Sequence, residues 1–363
     1  MKHNIRKTYP LAAFALLIVL ISGCTEDYDV DITTDAHVLV VDGALTNDPE
    51  ATQIRLSYAS VYGAATSSEQ VTGAKVMVVG TNHDTLLFGE SANGVFILPA
   101  GNPLPEPGIN YQLCIKTSDD FEYRSDMQPM TTPVIVDSIH GKLEEIDFLR
   151  TRPNGSSYIE TEMCVTSLAD LKNTAGPDVQ VRFKSTLLYG YTYPLDPNAS
   201  PTTTIYEWKK LDPDRVINFT GSANEVSFTT LSDYAVCSFP LNNYLYSVTG
   251  NEYINIWLLK IRLFTISHAA FDYYKKVNAQ LTSSNRLFDP IAAGIEGNMT
   301  CTSDPSRQVL GFFEVSAYAE KSLWVKPLIT ENFVIYRSSY DLDSIPDEGK
   351  QEASNPFWWP TSF

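Results

Sequence analysis

The chain has 363 residues, a formal charge of −17 and five cysteines. So acidic a surface repels phosphate backbones and anionic headgroups, which argues against nucleic acid as a partner. Its length suits about two domains on a soft prior of roughly 100–200 residues each.

The first 23 residues have the composition of a targeting segment. Lys2, Arg6 and Lys7 form a basic start, and Leu11 to Ile21 is an unbroken apolar run of 11 residues. A spanning helix needs roughly 20 apolar residues, so the run reads as a signal peptide, with an uncleaved signal anchor as the alternative. Leu20-Ile21-Ser22-Gly23-Cys24 resembles a lipobox, which implies cleavage after Gly23 and lipidation of Cys24. The leader holds three bases and no acids, so the remainder carries −20. Residues 24–35 include Glu26, Asp27, Asp29 and Asp31 and read as an acidic tether that does not fold by itself. Asp27, Asp29 and Asp31 mimic the start of a calcium loop, but the required glycine and closing glutamate are absent. An acidic run directly after a lipidated cysteine resembles the export signal of Bacteroidota surface lipoproteins. The expected location is therefore the outer membrane, lipid-anchored and facing outward.

Residues 36–133 read as a first domain of short strands parted by turns. Runs at 37–41, 54–58, 74–79, 85–88, 94–98, 108–115 and 121–125 supply the strands. In the sixth, Tyr111, Leu113 and Ile115 share one face and Cys114 lies on the other. About seven such strands predict an antiparallel sandwich. Gly73-Ala74-x-Val76 and Gly108-x-x-Tyr111-x-Leu113 resemble small prealbumin-like or carboxypeptidase-regulatory sandwiches, so the expected first domain is a prealbumin-like or Ig-like β-sandwich. Met127 to Pro133 reads as a linker.

Residues 134–340 read as a second, β-rich domain carrying one amphipathic helix. Strands are expected at 134–139, 158–166, 179–189 and 253–265. In the last, Trp257, Leu259, Ile261 and Leu263 line one face. Leu258, Lys260, Arg262 and Phe264 line the other, a mixture that predicts partial exposure. Ser267 can cap a helix over 267–281 whose core stripe is Phe271, Tyr274, Val277 and Leu281. Two further strands, 309–317 and 323–325, are expected to be joined through Ala319-Glu320-Lys321. Residues 341–363 form an acidic, then aromatic, tail without regular structure. Phe357, Trp358, Trp359 and Phe363 either dock on the chain's own sheet or form a contact surface for cargo or receptor.

Chemistry is sparse. No nucleophile elbow, zinc-protease helix, phosphate loop or dinucleotide fingerprint occurs. His37, His83, His140 and His268 stand at no recognisable metal-ligand spacing, so the expectation is no enzyme, no metal and no cofactor. Beyond Cys24, an exported chain's cysteines can form disulfides. Cys237 and Cys301 are the expected pair, closing a loop of about 65 residues that could stabilise by roughly 4 kcal/mol; four free thiols are the alternative. Asp343-Ser344-Ile345 resembles a Bacteroidota O-glycosylation sequence, with Ser344 as acceptor.

Several segments together resemble one family. They are Leu39-Val40-Val41-Asp42-Gly43, Gly73-Ala74-Lys75-Val76, Phe271-Asp272-Tyr273-Tyr274, Phe288-Asp289-Pro290, Gly297-Asn298 and Val309-Leu310-Gly311-Phe312-Phe313-Glu314-Val315-Ser316. They are similar to the Bacteroidota lipoprotein family called domain of unknown function 4249. Members are often encoded beside TonB-dependent outer-membrane receptors. The resemblance therefore implies an accessory role in cargo capture or uptake, with such a receptor as partner and no catalytic residue to carry over. A structural or adhesive surface lipoprotein is the rival expectation, and a secreted hydrolase the third.

Overall fold

The computed structural model describes residues 38–59, 68–176, 179–196, 198, 203–211, 218–220, 228–240, 255–283, 295–327, 333–337, 344–352 and 354–359. The chain opens with β1 (Leu39–Thr46), β2 (Gln53–Tyr58), β3 (Lys75–Gly80), β4 (Thr85–Ala92), β5 (Val95–Ile97), β6 (Asn110–Lys116), β7 (Glu122–Ser125) and β8 (Gln128–Pro129). Longer strands follow: β9 (Ile135–Thr151), β10 (Ser157–Lys172), β11 (Val179–Pro194), β12 (Thr204–Leu211), β13 (Asn218–Phe219), β14 (Thr230–Pro240) and β15 (Asn255–Ser267). Then come helix α1 (His268–Ser283), β16 (Met299–Cys301), β17 (Val309–Pro327), β18 (Phe333–Arg337) and β19 (Glu348–Glu352). The fold is mostly β with one helix among the described residues, as the sequence led us to expect.

The first sandwich forms because one sheet folds over on itself at β4. The start of that strand pairs with β3 and its end with β5. One layer is β16-β7-β6-β3-β4 and the other β4-β5-β2-β1-β17. Period-two alternation points Val76, Val78, Leu86, Tyr111, Leu113 and Ile115 at Leu39, Val41, Ile54, Leu56 and Phe313 in one buried cluster. Two of the strands that complete this sandwich come from residues 299–317. The sequence boundary at 134 therefore does not separate the cores cleanly: β1 pairs in parallel with the first half of β17, with Leu39 opposite Val309 and Thr46 opposite Ser316.

β17 is one unbroken strand where a connection was expected at Ala319-Glu320-Lys321. Its second half pairs with β15 from Ala317 opposite Thr265 to Val325 opposite Trp257. The polar pair 320–321 therefore sits on a strand. Glu320 reaches the Lys260 ammonium at 2.9 Å.

The second half of the molecule is built around β15, which is buried on both faces rather than partly exposed. Trp257, Leu259, Ile261 and Leu263 join Val165, Ala169, Leu171 and Phe239 of the smaller sheet β14-β10-β9. The opposite face has two separate covers. Ile256 and Leu258 lie under the C-terminal tryptophans, and Phe264 and Ile266 lie under α1. Both covers are remote in sequence, so a local reading of β15 misses them.

α1 starts as expected, with the Ala270 N–H donating to the Ser267 hydroxyl at 3.3 Å. The predicted stripe packs at its start, through Phe271 and Tyr274, and is lost towards Leu281. Ala270 and Phe271 are buried, with Tyr273 and Tyr274 packed beside them, and Leu281 is 56% exposed. Only the first turns of the helix meet the sheet. The expected linker at 127–133 is also packed. The Thr131 hydroxyl donates to the Thr265 carbonyl at 2.7 Å, and the Val134 N–H donates to the Thr265 hydroxyl at 2.9 Å.

An ion pair joins the two halves. Arg182 on β11 donates to both carboxylate oxygens of Glu314 on β17, at 3.2 and 3.0 Å. Its guanidinium lies over the rings of Phe264 and Tyr274, 4.1 and 4.9 Å from their centroids. The Ser316 hydroxyl donates to Glu314 at 2.6 Å. Burial pushes the Glu314 carboxyl up, but the Arg182 charge and the hydrogen bonds from Arg182, Ser316 and Tyr274 outweigh it and hold the group below the usual carboxylate range.

Candidate functional site

The site residues expected from sequence do not gather in one place. Cys24 and Phe363 lie outside the described residues. Cys301 is a free thiol in the first sandwich core, whereas Cys237 packs in the core between β15 and the smaller sheet, so the expected disulfide is not formed. Burial pushes the Cys164 thiol up to about 11 and also raises that of Cys114, so both stay protonated near neutrality. Ser344 is exposed at a turn before β19, while its neighbour Ile345 is buried.

The aromatic tail is core. Trp358 and Trp359 are buried, Trp358 edge-on to Trp208 at 5.4 Å and Trp359 edge-on to Tyr206 at 5.0 Å. A contact-surface role is thereby corrected for both, because each ring already fills a pocket on the chain's own sheet. β19, expected to be irregular, pairs with β12 beside them. Phe357 alone of the described three stays exposed. Trp358→Ala is expected to cost about 3 kcal/mol or more in urea unfolding, as for a buried aromatic. Phe357→Ala is expected to change stability by less than about 0.5 kcal/mol. Equal effects at the two positions would contradict this packing.

The smaller sheet presents what the sequence hid. β14 pairs with β10 only over Cys164 to Lys172, whereas β9 and β10 pair over their whole length. The outer part of the hairpin, from Glu145 to Met163, is thus a two-stranded ribbon with no third strand among the described residues. Such a ribbon is marginal alone, and its side chains show how it persists. Arg150 donates to Glu160 at 3.1 Å and also to Glu162, and its guanidinium lies over Phe148. Arg152 covers Tyr158 in the same way. On the opposite face Leu149 and Ile159 are directly cross-strand, and they are 72% and 67% exposed. An apolar pair held out on a charged ribbon is suited to contact, not to folding.

At the ribbon's base His140, Asp170 and Asp233 converge from β9, β10 and β14, with one donor atom of each within 4.8 Å of the others. Their positions are 30 and 63 residues apart, so no spacing rule could reveal them. His140 Nε2 lies 2.7 Å from Asp233, and its Nδ1 lies 3.7 Å from Asp170. The hydroxyl of Ser138 and the N–H of Asp233 donate to Asp170 and hold its carboxyl below the usual range. A bulge in the β10 ladder beside Asp170 and a positive φ of 55° at Asp233 aim the groups together. One nitrogen and two oxygens form a donor set that suits a borderline divalent cation. Each group is nonetheless engaged within the cluster, so the geometry by itself makes a clasp across three strands.

Of the segments that carried the family resemblance, 39–43, 297–298 and 309–316 lie at the β1–β17 joint, and 288–290 lie outside the described residues. Gly311 has φ +93°, and a Cβ there would overlap the Val41 carbonyl. A Cβ on Gly297 would overlap Gly311 in turn. The Asn298 side chain donates to the Phe313 carbonyl at 2.9 Å and accepts from its N–H at 2.8 Å. A family model described as Domain of unknown function (DUF4249) matches residues 25–322. The chain belongs to the DUF4249 family. No curated protein and no solved structure matches it. The DUF4249 match runs from the acidic tether into the second half of β17, and so includes Gly297, Asn298, Gly311 and Glu314. Within that match Gly297, Asn298 and Gly311 hold the β1–β17 joint.

Proposed function

We propose that this DUF4249 chain is a surface-exposed outer-membrane lipoprotein, anchored through Cys24, that assists a TonB-dependent transporter in capturing or admitting its cargo. The lipobox-like Leu20 to Cys24 and the acidic run after it support the anchoring and the outward placement. The ribbon carries the accessory role: Leu149 and Ile159 are exposed side by side, beyond where the described part of β14 supports the hairpin. Aromatic and arginine side chains line its other face, the residue types that dominate interface hot spots. The role needs no catalytic group and no cofactor, and the exposed Ser344 is available for O-glycosylation.

The experiment is co-purification from detergent-solubilised outer membranes. The wild-type chain is expected to bring down an outer-membrane β-barrel. Leu149→Ser with Ile159→Thr is expected to release it, with the melting temperature unchanged because both side chains are in water already. Cys24→Ala is expected to leave a longer, unacylated precursor. A native protein whose Cys24 is unmodified would overturn the anchor. Adhesion to glycan or matrix with no barrel recovered would favour the structural or adhesive reading instead.

A further inference from the structure

The first sandwich has a second unassigned surface, and it stands apart from the ribbon and the transporter reading. Along the outer face of β4-β3-β6-β7, a half-open cavity of about 450 Å³ lies over Met77, Leu87 and Cys114. Cross-strand register puts Leu87, Met77, Cys114 and Arg124 in one row, in that order. Met77 is 40% and Leu87 62% exposed, so the row is an apolar strip open to water that ends at a cation. Cys114 is half-buried in the middle, and its protonated thiol adds to the apolar floor.

The charges beside the strip are the reverse of the chain's overall sign. Lys75 lies directly opposite Lys116 on the neighbouring strand. Like charges in that position destabilise a sheet. Lys116 is neutralised by Asp120 at 3.2 Å and Glu122 at 3.5 Å. Lys75 and Arg124 have no carboxylate within ion-pair distance among the described residues, although acids outnumber bases 43 to 26 in the chain. Two cations without an ion pair among the described residues, beside an apolar strip on an acidic protein, form a recognition pattern. It matches a molecule with an apolar body and a single anionic head. The cavity volume falls in the range of small-molecule sites, roughly 300–1,000 Å³.

We propose that this face binds a free single-chain amphiphile carrying a carboxylate, with its chain along Leu87, Met77 and Cys114 and its head at Arg124 and Lys75. The head gains charge-assisted hydrogen bonds from the two cations. The chain covers apolar surface otherwise in water.

Isothermal titration calorimetry tests this on the protein lacking residues 1–24, which keeps the whole compact body of residues 37–363. The probes are dodecanoate, dodecyltrimethylammonium and acetate, each below its micellar concentration. Saturable one-to-one binding of dodecanoate, with none of acetate, is the expected result. The cationic amphiphile is the decisive control. A chain of charge −20 attracts it non-specifically, so binding as tight as or tighter than dodecanoate would overturn the proposal. Arg124→Glu and Leu87→Ser are each expected to weaken dodecanoate by about tenfold or more, with unchanged melting temperature because both residues are exposed. Dodecanoate is also expected to slow alkylation of Cys114 by iodoacetamide. An unaltered affinity in both variants, or a concentration-dependent dimer that Leu87→Ser dissolves without any dodecanoate binding, would assign the face to something else.

Discussion

Replacing Gly311 with alanine is expected to destabilise the protein by more than about 4 kcal/mol, enough to remove most of the soluble yield. Two costs add. The residue sits at φ +93°, where a side chain is strained by about 1–3 kcal/mol. The new Cβ would also overlap main-chain atoms of Val41, which cannot rotate aside as a flexible side chain could. The only relief is to open the parallel pairing of β1 with β17, the joint between the two halves. Gly155→Ala is the control, because its φ of +82° is similar and no atom lies within 4 Å of the added carbon. It is expected to lose only the strain, about 1 kcal/mol. Soluble yield and urea midpoints measured on both variants check the argument, and equal losses would show that close approach at Gly311 does not matter.

Glu314→Gln is expected to cost about 3–5 kcal/mol, because the amide keeps the shape but leaves the Arg182 charge buried without its counter-ion. Phe264, Tyr274 and Ser316 pack around the pair and Glu314 is 1% exposed, so water is a poor substitute for the lost carboxylate. The contrasting double variant, Arg182→Met with Glu314→Leu, removes both charges and is expected to recover most of the loss. The pH dependence follows from the depressed Glu314 pKa. The contribution is fully present above the unfolded value near 4.3 and is lost as pH falls through the lower folded value. The stability gap between wild type and Glu314→Gln is therefore expected to hold at neutral pH and to narrow below about pH 4. A gap that stays constant down to pH 3 would mean the charge is not what holds the joint.

Local chemistry made much of this molecule legible. Period-two alternation placed β3, β6 and β7 within a residue or two and assigned the inner face of β6 correctly, because a strand's alternation depends only on which side is dry. Ser267 marked the helix start because a cap acts on N–H groups two or three residues away. The family segments around Gly297 and Gly311 could be read as a pattern, and their physical reason is that both positions touch backbone.

Tertiary structure decided the rest. Whether the second face of β15 was wet or dry depended on α1 and on Trp358 and Trp359, the latter about 100 residues further along the chain. Alternation on one strand carries no information about what arrives to cover it. The same cause turned an expected turn at 319–321 into continuous strand, since the ladder to β15 outweighs the local polarity of Glu320 and Lys321. Cys237 and Cys301 were drawn into different cores by the return of residues 299–317 to the first sandwich, which no cysteine spacing reports. His140, Asp170 and Asp233 meet, and Leu87, Met77, Cys114 and Arg124 line up, through strand register alone. Register is set by the whole sheet, so those surfaces exist only once the chain has folded.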